Sequence, residues 1–222
     1  MDEWAADVEG FVFDRLPAAE AAVLEVGCGE GHLARALAAR GYRVTAIDPE
    51  APEEDIFRRV TLEEFHPALR FAAVVAVLSL HHIESVAGAV EKMTGLLEDR
   101  GLLIAVEFAW EKIDDATARW CLQHLSDGDA DDGWLHRRFS EWRARAPALS
   151  PQEYFRTWAE EERLHTSNAM LEELRANLTE RHFEWSPYLY PDLDGISRED
   201  EIRAIESGEI RSVGFRFVGE RA

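Results

Sequence analysis

Three glycines at alternate positions, Gly27, Gly29 and Gly31, follow the apolar run Val23-Leu24-Glu25-Val26, and a helix-forming run, His32 to Arg40, comes next. Glycine at such a turn has no Cβ to hold a ligand off the backbone. The first N–H groups of the following helix point into the gap with partial positive charge, so an anionic or polar edge can sit there. A second group with chemical potential is His81-His82, together with Glu107 further on. Histidine titrates near neutral pH, and a carboxylate holding the proton of one ring nitrogen raises the basicity of the other. One group can bind and the other can move a proton.

Spacing separates the ligands that such a turn can serve. Dinucleotide sites use G-x-G-x-x-G, whose second and third glycines stand three apart to admit a pyrophosphate. Here the pattern is E-x-G-x-G-x-G, with Glu25 two residues before Gly27 and Cys28 inside the turn. This run resembles the first motif of class I S-adenosylmethionine (SAM)-dependent methyltransferases, at their small-molecule, UbiE-like (type 11) end. The cofactor of that family has no phosphate to cradle. The resemblance covers residues 20 to 108 with specific motifs; beyond them only the layout matches.

The elements that must carry these groups can be read from periodicity. Trp4 to Leu16 has apolar residues near helical spacing and ends before Pro17; it either covers a sheet edge or, as in the family, closes over the cofactor. After the helix Leu33 to Ala39, Gly41 is a stop and Tyr42 to Ile47 a second strand, ending at Asp48-Pro49. Asp48 stands where a strand parallel to the first would end, so its carboxylate can accept hydrogen bonds from both ribose hydroxyls of an adenosine. The alternative is a helix cap before Pro49. A short helix Pro52 to Phe57 and a third strand Arg59 to Phe65 come next. Many family members carry an Asp at the end of this strand for the adenine amino group; that place is Thr61 here, or Glu63, which leaves the Thr61 hydroxyl and the Leu62 backbone for the contact.

Phe71 to Leu78 is the most continuously apolar run, as expected of a strand buried on both faces. The family often has an Asp at Ala72. The helix Val86 to Leu97, the turn Asp99-Arg100-Gly101 and the strand Leu102 to Phe108 complete a β-α-β unit. Residues 109 to 165 read as helices without a strand, broken by an Asp/Gly-rich loop from Ser126 to Gly133 and by Pro147 to Pro151; Trp110, Trp120, Trp134, Trp142 and Trp158 all lie there. Then follow a helix Asn168 to Leu178 capped by Thr166 or Ser167, a strand Phe183 to Tyr190, a helix Arg198 to Ser207 and a strand Ser212 to Val218. The expected fold is α/β: a doubly wound, mostly parallel seven-stranded sheet closed by an antiparallel hairpin, as in class I methyltransferases. Residues 1–222 form one domain in this reading, with 109–165 inserted as a helical lid.

Methyl transfer from a sulfonium is a direct displacement in which positioning supplies much of the rate, and a hydroxyl acceptor needs a base as well. The resemblance implies SAM as cofactor, held by Glu25, Gly27, Cys28, Gly29, Gly31, Asp48, Pro49, Thr61, Leu62 and Leu78. It also implies a small-molecule acceptor methylated at oxygen, or alternatively at nitrogen. His81 is the expected general base, oriented by Glu107, with His82 and Trp110 as acceptor contacts. Other readings are that either histidine packs against the cofactor, that Glu107 pairs with an arginine, or that the chain binds SAM or its demethylated product without catalysis. The remaining histidines are scattered, so no metal is expected.

The 222 residues suffice for one sizeable domain, and the opening Met1-Asp2-Glu3-Trp4 is unlike a signal peptide, which makes the cytoplasm the default. A formal net charge of -20 disfavours nucleic-acid substrates and favours neutral or cationic partners. The only two cysteines, Cys28 and Cys121, lack metal-ligand spacing. Neither composition nor spacing fixes the oligomeric state.

Overall fold

A computed structural model describes residues 3–125 and 133–222. Seven strands, β1 (Ala22–Val26), β2 (Arg43–Ile47), β3 (Phe57–Arg58), β4 (Phe71–Val77), β5 (Leu97–Phe108), β6 (Thr179–Ser186) and β7 (Gly214–Glu220), make one sheet in the order β3-β2-β1-β4-β5-β7-β6. The first five are parallel, and β7 runs antiparallel to both β5 and β6. This is the doubly wound sheet with a closing hairpin that the sequence implied.

Alternation along the central strands explains their apolar character. Leu24, Val74 and Ala76 face the helices α3 (Val86–Leu96) and α7 (Ser167–Asn177) through Val90, Met93, Met170 and Leu174. Val23, Ala73 and Val75 face α1 (Glu3–Phe13) and α2 (His32–Ala39) through Val8, Phe11 and Leu37. Strands covered on both sides have no polar face to offer. A third cluster joins Phe108 to α4 (Asp115–Gln123), α5 (Trp134–Arg145) and α6 (Pro151–Glu161) through Trp110, Trp120, Leu135, Phe139 and Phe155. Leu189, Leu193 and Ala204, from the β6 to β7 connection with its helix α8 (Arg198–Glu206), complete that cluster. Among the described residues no helix is long and apolar enough to cross a membrane.

Several boundaries differ from those expected. Pro52 to Phe57 is a turn, not a helix, and β3 is two residues long, preceding the expected Arg59 to Phe65. Glu64 N–H instead donates to the Thr61 hydroxyl (3.3 Å) and Phe65 N–H to the Leu62 carbonyl (3.2 Å), so 61–65 closes on itself and cannot lie along β2. Asp99-Arg100-Gly101 is no turn between elements but an irregularity inside β5, where Arg100 takes φ 63 and the pairing with β4 shifts register between Phe71 and Ala73. Strand β6 starts and ends four residues before the expected Phe183 to Tyr190, because Pro187 has no N–H to offer and the amides of 188–190 bond elsewhere. Strand β7 begins two residues past Ser212, whose hydroxyl donates to the Ser186 carbonyl at 2.6 Å. The expected loop Ser126 to Gly133 falls, except for Gly133, outside the described residues.

Candidate active site

The parallel register aligns Val26 with Ile47 and Ala76, and Val77 with Val106, so the carboxyl ends of these strands and the residues that follow them share one edge. That edge carries Gly27, Asp48, Ser79 and Glu107. Gly27 and Gly29 adopt left-handed backbone, with φ 73 and 48. The N–H groups of Gly27 and Cys28 donate to the Ile47 carbonyl at 2.9 and 3.2 Å, tying the turn to β2. Asp48 completes the tie: its Oδ2 accepts from Gly29 N–H at 3.0 Å and its Oδ1 from Glu50 N–H at 2.8 Å. Each carboxylate oxygen has a second lone pair, so these bonds leave acceptor capacity for a ligand.

A cleft of about 510 Å³ opens beside this turn, lined by Gly27, Asp48, Pro49, Thr61, Leu62 and Leu78 among others, and by Ser79 and His82 on its far side. Six of the ten residues expected to hold a cofactor therefore meet in one cavity of small-ligand size. The other four, Glu25, Cys28, Gly29 and Gly31, build the turn. Gly31 is packed, since a Cβ there would meet the Phe57 ring at 2.2 Å. Glu25 is 4% exposed, and burial pushes its carboxyl up to about 8 against the pull of the Ala34 amide in the first turn of α2. Cys28 is buried as well, and desolvation followed by the charges of Glu25 and Asp48 drives its thiol up to about 12, so it stays neutral.

His81 and Glu107 come together as the sequence suggested. His81 Nδ1 lies 2.7 Å from Glu107 Oε2, with both side chains buried. The other carboxylate oxygen, Oε1, accepts from Ser79 N–H at 2.9 Å and Leu80 N–H at 2.6 Å, which fixes the carboxyl plane. Those two amides are the sequence's missed contribution; backbone donors in a short 3-10 turn, Leu80–His82, leave no signal in residue type. His82 stacks obliquely on His81 with ring centres 4.3 Å apart. Partial desolvation, then the neighbouring His81, hold the His82 imidazole below its usual range. Trp110 does not line this cleft. Its indole N–H donates to the His165 carbonyl at 3.1 Å, while His165 N–H donates to the His81 carbonyl at 2.9 Å.

Comparison with known proteins decides what such a cleft belongs to. Residues 3–162 match a family model described as a methyltransferase domain. The chain belongs to this methyltransferase family. A methyltransferase of Mycobacterium tuberculosis described as uncharacterized is 31% identical over 166 residues, which cover 68% of this chain and 81% of the relative. A ubiquinone biosynthesis O-methyltransferase of Methylocella silvestris is 31% identical over 169 residues, 68% of this chain and 62% of that one. Among solved structures, the N-methyltransferase NodS of Bradyrhizobium japonicum bound to S-adenosyl-L-homocysteine (SAH) aligns with TM-score 0.55 at 15% identity, over 99% of this chain and 88% of that one.

The protein is thus a SAM-dependent methyltransferase with SAM as its cofactor. Its own residues fit that cofactor. The glycine turn presents backbone without side chains, Asp48 keeps free acceptor capacity on its carboxylate, and Val26, Ile47, Leu62 and Leu78 are apolar walls of the cleft.

Proposed function

We propose that this methyltransferase acts on a small-molecule acceptor at oxygen, with His81 as general base and Glu107 as the residue that orients it. The carrying observation is the 2.7 Å contact between His81 Nδ1 and Glu107 Oε2, with the second carboxylate oxygen locked by two backbone amides. Bound SAM supplies an electrophilic methyl group on a sulfonium. With its Nδ1 proton committed to Glu107, His81 carries its free lone pair on Nε2, and there it takes the proton of an acceptor hydroxyl. His82, on the wall of the cleft, contacts the acceptor. Trp110, buried and away from the cleft, braces the His81 segment through His165.

The Methylocella relative, an O-methyltransferase, favours oxygen. NodS, an N-methyltransferase, supports nitrogen as the second reading, in which the same base takes the ammonium proton before transfer. A net charge of -20 supports a small acceptor over a nucleic acid. Helices of 109–165 serve as a lid on the single domain 1–222, a reading supported by the cluster that joins Phe108 to Phe155 and Leu189.

Labelled-methyl transfer from SAM to a panel of phenols, carboxylates and amines, run in excess chelator, tests the proposal. Label in phenols or carboxylates supports it. Label confined to amines sinks the oxygen assignment, and chelator sensitivity sinks the metal-free chemistry.

A further inference from the structure

A second cavity, of about 230 Å³, is lined by Trp4, Leu78, Trp134, Tyr188, Pro191 and Asp192. We propose that it is the acceptor pocket and that it selects an acceptor bearing a positively charged nitrogen, a protonated or quaternary amine on a small apolar body. This rests on the reading of the neighbouring cleft as the SAM site.

Position comes first. Leu78 lines both cavities, at φ 50, where the chain leaves β4. From the proposed base, a run of rings leads into the pocket. His81 meets Phe108 edge-on with centres 5.9 Å apart, and Phe108 stacks on Tyr188 at 4.8 Å. Trp134 lies 5.9 Å and Trp4 6.3 Å from Tyr188. A molecule seated among Trp4, Trp134 and Tyr188 is one ring removed from the His81 side chain.

Electrostatics give the class. Aromatic faces carry negative potential and attract a cation, Trp best of all. Among the described residues the lining adds one carboxylate, Asp192, and no basic side chain. The Tyr188 phenol is pushed up from its ordinary range first by burial, with the nearby charges of Asp192 and Glu107 adding in the same direction. The arginines on the α1 side are engaged: Arg198 and Arg216 both pair with Asp7, three residues from Trp4. An anionic acceptor entering here would meet like charge.

The pocket is also built rather than incidental. Glu201, fully buried, accepts the backbone N–H groups of Tyr188 (2.8 Å), Leu189 (2.9 Å) and Tyr190 (2.8 Å). Three hydrogen bonds to this carboxyl fix the segment that carries Tyr188 into Pro191 and Asp192 before any ligand arrives.

The test uses the full chain saturated with SAH and three probes that share a phenol and differ in head charge: tyramine, 4-ethylphenol and 4-hydroxyphenylacetate. Titration by calorimetry should show tyramine binding about tenfold more tightly than 4-ethylphenol, with 4-hydroxyphenylacetate weakest. Asp192→Asn and Trp134→Leu should each shrink the tyramine preference, and Trp134→Phe should restore part of it, all with unchanged SAH affinity. Equal affinities, absence of any probe binding, or an order led by 4-hydroxyphenylacetate overturns the proposal. If SAH binds while the charge order fails, only this inference falls. If SAH does not bind, the SAM cleft and the pocket's role fall together.

Discussion

An ideal Cβ built on Gly27 would stand 2.5 Å from Ser79 Cβ, so the turn after β1 and the segment after β4 close on each other only because residue 27 lacks a side chain. Ser79 Cβ is attached directly to backbone and cannot swing away. Gly27→Ala combines that clash with a left-handed φ of 73, which alone costs about 1–2 kcal/mol. Gly29→Ala bears only the second penalty, since its Cβ would enter open space. Gly27→Ala should therefore lose at least about tenfold in SAM affinity and melt lower than Gly29→Ala. Thermal melts and calorimetry on the two variants check this; equal destabilisation would contradict the packing argument.

Asp48 joins the turn to the end of β2 through Gly29 N–H. Hydrogen bonds to a charged group contribute about 1.5–3 kcal/mol, so Asp48→Ala should weaken SAM by about 10- to 100-fold, and Asp48→Asn by less. Calorimetric titration with SAM and with SAH measures both. Unchanged affinity in Asp48→Ala would remove the sugar contact from this position.

Burial raises two carboxyls, Glu25 to about 8 and Glu201 to about 7, from 4.5. A group whose folded pKa is raised contributes stability below its unfolded pKa and loses it as pH climbs through the folded one. His82 acts oppositely, being lowered from 6.5, and its contribution is complete once pH exceeds that value. Between about pH 6.5 and 8 only the carboxyls remain, and stability should fall across that window. Urea midpoints at the two ends check the sign. Glu201→Gln should flatten the slope while costing about 1–3 kcal/mol, because the amide NH2 would face a backbone N–H. A midpoint that rises with pH would contradict the assignment.

The shape of the glycine turn was legible because it is local: Gly27, Gly29 and Asp48 lie within one strand-turn-helix-strand unit, and backbone freedom and parallel register dictate their neighbourhood. The pairing of His81 with Glu107 was legible for the same reason, His81 standing just past the end of β4 and Glu107 at the carboxyl end of the adjacent β5. The third strand was not. Val60 and Leu62 alternate as a strand would, yet they and Phe65 pack against the sheet core from a turn. Strand β6 was shifted because its first residues, Thr179, Glu180 and Arg181, are polar and exposed, as an edge strand permits. Nothing local foretells the pocket of Trp4, Trp134 and Tyr188, whose members come from three distant parts of the chain, or Glu201, which reads as an ordinary first-turn acid of α8.

Trp110, His165 and His81 form a chain of two bonds, indole N–H to the His165 carbonyl and His165 N–H to the His81 carbonyl. Trp110→Phe keeps the ring and removes the donor. It should lower stability by about 1 kcal/mol and reduce kcat while leaving SAM affinity within a few-fold. A weakened SAM affinity with unchanged kcat would contradict a role in bracing His81.

The central claim is that His81, poised by Glu107, removes the acceptor's proton. Turnover of a phenolic acceptor in His81→Ala and Glu107→Gln, with SAM affinity measured on the same preparations, tests it most directly. His81→Ala should fall by about 100- to 10,000-fold and Glu107→Gln by a smaller but clear factor, both with SAM binding preserved. Near wild-type turnover in His81→Ala with intact SAM binding would contradict the account.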